Sequence, residues 1–435
     1  MITHNTHMKK LIPLCLICVI FFTFAFSIGT TFCFENEHME FEHNGRIFTY
    51  SLEENIKTSN IFNIDYEINK FNRFGSKDER IKLLNKMLNL GFNQEIALEY
   101  LFPNLIKRIN SIAKNVYIAP KNATLKTNTN SEKVFNITKE QNGKELDKNQ
   151  LFENIISSYL SKKEMKFALP IKTLVPSICE KEFKKFTNLR SDFSTNISSS
   201  SPDRKHNIKN ALNSLNKIEI MPNEVFSFNK TVGRRTAENG YREAKIIVNN
   251  EFVDGLGGGV CQVSSTLYNS ALLAGLEIVE ANKHSKQVNY VKYGFDAMVN
   301  FGSSDLKFRN NTSEKITIIT NFSTNYARIR IFGEDLKNKK YKLRNEILSS
   351  TEPIEEVFVD EKQEHIDKVK FEDEYFYLKK GSRGMEIKTY RETYIDNQLV
   401  STEILRFDKF KVQNSVKIYG KEKREKDILS ILFDS

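Results

Sequence analysis

Four glycines in five residues, Gly255, Gly257, Gly258 and Gly259, run straight into an apolar helical pattern, and this junction limits the fold more than any other feature of the chain. The stretch from Asp254 to Gly275 reads DGLGGGVCQVSSTLYNSALLAG. Val260, Val263, Leu267, Ala271 and Ala274 recur at a spacing of three to four residues, which predicts one buried helix face. Gly275 suits the helix C-terminus. Cys261 therefore falls in the first turn, where free backbone N–H groups and the helix dipole favour an anion. A thiol so placed has a lowered pKa and is a better nucleophile at neutral pH.

Glycines at 258 and 259 let backbone and substrate approach closely. Their N–H groups are candidates for an oxyanion hole, and Gln262 offers a further side-chain donor. A thiolate nucleophile needs a base and a group that orients it. His284 follows Cys261 by 23 residues. Alternation around Val288 and Tyr290 predicts a strand that brings it back to the helix start. Asp296 and Asp305 are the acids that can orient the imidazole, with Asp296 preferred. The other readings of this cluster are a phosphate-binding loop, a small buried hydrophobe at Cys261, and a zinc site at Cys261, His284 and an acid. The chain has no P-loop or dinucleotide fingerprint, and no second Cys or His lies near enough to complete a zinc set. No metal and no cofactor is expected.

The start of the chain bears on location. Lys9 and Lys10 precede an uncharged run of 24 residues, Leu11 to Phe34, followed by Glu35, Glu37 and Glu40. This predicts residues 1–34 as a signal peptide or membrane anchor with the body outside the cytoplasm. Three of the five cysteines lie in that run, which leaves Cys179 and Cys261 for the body and excludes a disulfide scaffold. A disulfide between those two is one possibility and a free reactive thiol the other. The net charge of +10 suits an anionic wall polymer or membrane surface, and export disfavours a nucleic-acid partner.

Elsewhere the pattern predicts a multidomain α+β protein. Residues 77–117 and 151–160 have helical periodicity, while 41–75 and the Pro170-interrupted run 167–175 read as strands. Residues 124–150 read as exposed turns. A helix is predicted from Arg204 to Leu215, capped by Asp203. Residues 385–394 and 399–410 predict a hairpin turning at Asp396-Asn397.

The runs VFSFN (225–229), VGRRT (232–236), GYREA (240–244), GGGVCQVSSTLYN (257–269), AGLEIVE (274–280), His284-Ser285, GFDA (294–297) and DLKFRN (305–310) resemble the VanW-like family of bacterial extracytoplasmic proteins. The resemblance covers roughly residues 190–335. It implies domains at 40–190 (peptidoglycan-binding, α+β), 191–340 (VanW-like, with the glycine loop and cysteine helix packed on strands) and 350–422 (an extended five-glycine-type β module), then a charged tail at 423–435. It implies a wall-directed protein of Gram-positive bacteria. The expected activity is that of a cysteine L,D-transpeptidase on peptidoglycan stem peptides, with Cys261 as nucleophile, His284 as base and Asp296 as orienter. Gly258, Gly259, Gln262, Arg235, Tyr290 and Asp305 are the expected substrate contacts, and Arg234 is a further carboxylate-binding candidate. Where relatives often carry Arg and Pro, this chain has Ala281-Asn282-Lys283 before the histidine and Lys292-Tyr293 before Gly294. Hydrolysis at the same site, or a non-catalytic wall-binding or glycopeptide-resistance accessory role, are the alternatives.

Overall fold

The computed structural model describes residues 38–51, 75–248 and 251–423. The apolar run that ends at Phe34 and nearly all of the charged tail lie outside them. Among the described residues no helix is long and apolar enough to cross a membrane. The chain forms two compact units. One takes the residues up to Pro120 together with Asn142–Val175, the other Lys121–Gln141 and Pro176 onward.

In the first unit the helices Lys77–Asn89, Gln94–Leu101, Leu105–Val116 and Lys148–Leu160 surround one core. Ser76 and Glu79 form a reciprocal cap at the first helix. Phe102 packs edge-on against Tyr159 at 4.9 Å, and both rings are buried. The strand His38–His43 pairs antiparallel with Arg46–Ser51 and parallel with Lys166–Ala168. Pro170 does interrupt the second strand region, which splits into Lys166–Ala168 and Ile171–Leu174.

The second unit is built on an antiparallel sheet in the order Asn188–Asn196, Tyr326–Gly333, Ile316–Phe322, Ile218–Ile220. Side chains alternate across it. Ile316, Ile318, Ile329 and Ile331 face a large core shared with the helices Pro202–Leu215 and Val260–Leu273. Ile319 and Phe332 face the other way and are covered by Val134 and Phe135. The latter belong to the hairpin Thr124–Thr127/Phe135–Thr138, in a region expected to be exposed turns. With both faces covered, the strand Ile316–Phe322 is buried at every position from Ile316 to Thr320. The helix Pro202–Leu215 is capped by Ser201 rather than by the expected Asp203, with Pro202 filling the first position.

At the C-terminal end, Lys339–Thr351, Gly384–Ile395 and Gln398–Phe410 form a long antiparallel ribbon. Asp396 and Asn397 both have positive φ, 51° and 64°, as a two-residue hairpin turn requires. A second sheet pairs Ser415–Tyr419 with Glu355–Val359 and Tyr375–Lys379.

Candidate active site

The hairpin Glu243–Val248/Glu251–Leu256 delivers the chain to the glycine loop. Gly257 has φ +83° and Gly259 φ +108°, values that L side chains rarely adopt. A Cβ on Gly258 would stand 2.7 Å from the Ala244 carbonyl carbon and oxygen. Gly259 caps the helix Val260–Leu273, so Cys261 occupies its first turn. Among the described residues, no chain acceptor takes the N–H groups of Gly259 and Cys261.

The helix is buried almost all round, yet it carries Ser264, Ser265, Thr266, Asn269 and Ser270. Three of these secure the segment that bears Asp296. Ser264 Oγ donates to the Ala297 carbonyl at 2.5 Å, Ser265 Oγ accepts from the Ala297 N–H at 2.9 Å, and Asn269 Nδ2 donates to the Phe295 carbonyl at 2.8 Å. The Cys261 thiol continues the row with Val299, its Sγ 3.4 Å from that carbonyl. Cys261, Ser265 and Asn269 are four apart on the helix, about 6 Å per step. Phe295, Ala297 and Val299 are two apart on extended chain, about 6.6 Å per step. The two repeats match, so the helix and the segment are pinned in register.

His284 reaches the helix start without the predicted strand. The strand there is Glu277–Glu280, and the chain then makes a single bridge between Asn282 and Met298. Asp296 holds the histidine: its Oδ2 accepts from the His284 backbone N–H at 2.7 Å and from Nδ1 at 2.6 Å. Both residues are about 5% exposed, so the pair works in a low dielectric. This leaves the other edge of the ring for the Tyr290 hydroxyl, 3.5 Å from Nε2, and for the electrostatic influence of Cys261. Burial opposes charge on the imidazole, but Asp296 and Cys261 outweigh it and lift His284 to about 9. Burial likewise opposes the thiolate, yet His284 and then Arg235 bring Cys261 below the ordinary thiol range. Both shifts run in the direction that favours a thiolate–imidazolium pair. Burial drives the Tyr290 phenol well above its usual range, so it stays protonated.

The other oxygen of Asp296 is taken by a residue that sequence reasoning missed. Arg406, on the strand Gln398–Phe410, donates through Nη2 to Asp296 Oδ1 at 2.8 Å and to the Gly294 carbonyl at 2.9 Å, and through Nη1 to the Asp296 carbonyl at 3.0 Å. Its Nε bonds Asp408 at 2.9 Å. Nothing in the sequence pairs position 406 with position 296. The polar stripe of the cysteine helix was legible in principle, as Cys-x3-Ser-x3-Asn on one helix face.

The remaining expected contacts divide. Asp305 accepts from Ser227 Oγ at 2.6 Å and from the N–H groups of Asn229 and Leu306, both at 2.9 Å, so it ties strands together and is not brought to His284. Gln262 is 2% exposed. Its amide nitrogen donates to Thr195 Oγ1 and to the Asn196 carbonyl, and its oxygen accepts from Arg204 at 3.0 Å. It serves as a brace and as an anchor for Arg204. Arg235 lies half-buried beside the glycine loop, whereas Arg234 is exposed and stacks on Phe301, its guanidinium 4.7 Å from the ring. Cys179 and Cys261 are both free.

Comparison with known proteins places this geometry in a family. Residues 203–332 match the family model described as "VanW like protein", and residues 50–168 the one described as "Putative peptidoglycan binding domain". The chain is 32% identical over 235 residues to the uncharacterized protein YoaR of Bacillus subtilis (strain 168), covering 54% of this chain and 76% of that protein. It is 28% identical over 145 residues to the vancomycin B-type resistance protein VanW of Enterococcus faecalis (strain ATCC 700802 / V583), covering 32% of this chain and 52% of that one. Among solved structures, the IgA1 protease G5 domain matches 20% of this chain and 94% of its own length, at 16% identity and TM-score 0.14. The G5 domain of HP0197 matches 19% and 95%, at 20% identity and TM-score 0.12. With its glycine loop, Cys261, His284 and Asp296 all inside the matched region, the chain belongs to the VanW-like protein family.

Proposed function

We propose that the protein is a cysteine acyltransferase of the cell wall, an L,D-transpeptidase acting on peptidoglycan stem peptides. The observation that carries this reading is the Cys261–His284–Asp296 arrangement at the glycine-capped helix start. The thiolate attacks the donor carbonyl, and the oxyanion is taken by the N–H groups of Gly259 and Cys261. The imidazolium of His284 gives its proton to the leaving nitrogen, D-alanine departs, and a thioester remains on Cys261. The side-chain amine of a second stem then attacks the thioester while His284 takes its proton, which forms the new amide and restores the thiolate. Tyr290, protonated and beside the imidazole, is a substrate contact in this scheme. Wall location and peptidoglycan association are supported by the peptidoglycan-binding family match at residues 50–168 and by the family membership.

The test is mass spectrometry of muropeptides after incubation of the protein with tetrapeptide-bearing peptidoglycan, with Cys261→Ala alongside. New cross-links between diamino acids that vanish in the variant are the expected result. D-Alanine release without cross-links would make the protein a hydrolase. No change in any product, from folded protein with a reduced thiol, would overturn the catalytic reading.

A further inference from the structure

Two arginines flank the nucleophile without a carboxylate to match them. Arg204 and Arg235 are both partly buried. Arg204 makes one side-chain hydrogen bond, through Nη2 to Gln262, the residue next to Cys261. Arg235 donates through Nη1 to the Gly233 carbonyl at 3.0 Å, and its buried Nη2 has no partner. Among the described residues neither guanidinium forms an ion pair. Asp305, the carboxylate whose charge Arg235 feels, has both oxygens engaged by Ser227, Asn229 and Leu306. The nearby carboxylate Asp296 is already paired, with His284 through Oδ2 and with Arg406 through Oδ1. Desolvating a cation without a counter-ion is costly, and two partly buried arginines beside the glycine loop are in that position.

The glycine loop is shaped around them. A Cβ on Gly257 would stand 2.7 Å from Cβ of Arg235, and one on Gly259 would stand 3.1 Å from Cγ of Arg204. Bare glycine at both positions lets the two arginine stems lie against the turn that presents the thiol. Both side chains are thus fixed at the nucleophile, with guanidinium donors left over.

We propose that Arg204 and Arg235 form a carboxylate subsite beside Cys261 that selects acyl donors ending in a free α-carboxylate, one residue past the bond attacked. The subsite rests on the acyl-transfer reading above and adds the chemistry of its donor. A leaving D-amino acid carries its carboxylate one tetrahedral carbon from the scissile nitrogen, within reach of side chains that flank the thiol. Paired guanidinium donors suit the planar, two-oxygen geometry of that group.

Binding is tested apart from chemistry by using the full-length Cys261→Ala protein. Calorimetry compares a stem tetrapeptide with the same peptide carrying a C-terminal amide. The acid is expected to bind at least about tenfold more tightly, and Arg204→Gln and Arg235→Gln, each added to Cys261→Ala, are expected to shrink that ratio toward one. Equal binding of acid and amide, or a ratio unchanged in both variants, overturns the subsite. Mass spectrometry of the wild-type protein with the same two peptides reads the thioester. Acid-selective binding without any thioester would sink the acyltransferase reading and leave the subsite standing. Equal thioester formation from both peptides would do the reverse.

Discussion

Arg406 and Asp296 are joined twice, by Nη2 to the carboxylate Oδ1 at 2.8 Å and by Nη1 to the backbone carbonyl at 3.0 Å. The arginine stands on the C-terminal ribbon, 110 residues away in sequence, and holds the acid that holds His284. Other bonds seat the ribbon at the same place: Asn345 Nδ2 donates to the Tyr293 carbonyl at 3.0 Å, and Lys283 Nζ to the Lys409 carbonyl at 2.8 Å. The ribbon thus supports the triad directly. Burial opposes ionisation of Asp296, but His284 and Arg406 overcome it and hold its carboxyl below the usual range. Removing Arg406 therefore raises that carboxyl. Once protonated, Asp296 no longer stabilises the imidazolium, and the charged pair collapses to neutral thiol and imidazole. Arg406→Gln is expected to slow Cys261 alkylation about ten- to a hundredfold and to move the acid limb of its pH profile upward. A profile that falls in rate without moving would assign Arg406 to packing alone.

The thiolate–imidazolium pair gives its own pH signature. Cys261 is lowered and His284 is lifted to about 9, so the reactive pair persists between the two. Below the lower value the thiolate protonates, and above the upper one the imidazolium loses its proton. Alkylation by iodoacetamide should begin well below the ordinary thiol range, which centres near about 8.5. In His284→Gln the onset should move up toward that range, because burial then acts on the thiolate with its main opponent removed. The same onset in both proteins would remove His284 from the pair.

The glycine loop and the apolar helix stripe were plain in the sequence because both are local. Four closely spaced glycines announce close backbone approach, and periodicity announces a buried face. Cys261 in the first turn follows from those two alone. The hairpin at Asp396-Asn397 was legible for the same reason. The strand expected around Val288 and Tyr290 did not form, because this segment is held by side chains, Asp296 above all, and not by a ladder. The hairpin at 124–138 looked like exposed turns because few of its residues are apolar, and of these Val134 and Phe135 make the contact with the sheet. Their partners, Ile319 and Phe332, lie about 190 residues away. Arg406 shows the same limit, since a charge on a strand does not announce which distant carboxylate it meets.

The register between helix and Asp296 segment can be tested one rung at a time. Ser265 Oγ takes the Ala297 N–H, and both are buried. Ser265→Ala leaves that donor unpaired, at about 1–3 kcal/mol of stability. Urea denaturation should register the loss, and alkylation of Cys261 should slow with it, because Asp296 is the next residue along. A stable variant with unchanged thiol reactivity would mean that the rung positions nothing.

Gly258 does not need positive φ, so its substitution isolates the question of space. An alanine Cβ would stand 2.7 Å from the Ala244 backbone, which cannot swing aside as a side chain can. Gly258→Ala should cost about 1–3 kcal/mol through this overlap and displace the loop that presents Cys261. The expected result is a lower melting temperature together with slower alkylation. An unchanged melting temperature would show that the hairpin Glu243–Val248/Glu251–Leu256 shifts freely, and the loop would then be no rigid support for the thiol.

The last prediction concerns the segment that closes the far face of the sheet. Arg330 is 2% exposed, and its guanidinium gathers the carbonyls of Thr129, Ser131 and Glu132 at 3.1 to 3.2 Å, along with Asn321 Oδ1 at 2.9 Å. These bonds fasten the turn of the 124–138 hairpin, while Val134 and Phe135 supply its small apolar contact. Arg330→Met keeps much of the volume and removes every donor. The Thr129 carbonyl keeps its bond from Asn321 Nδ2, but those of Ser131 and Glu132 lose their donor, at about 1–3 kcal/mol in all, so the hairpin should detach before the sheet unfolds. Limited trypsin digestion should then cut at Lys126 or Lys133 well before the rest of the chain, while the wild-type hairpin resists. Equal resistance in the variant would mean that the Phe135–Phe332 contact, edge-on at 5.0 Å, and the Arg328–Glu132 ion pair at 2.7 Å secure the hairpin without Arg330.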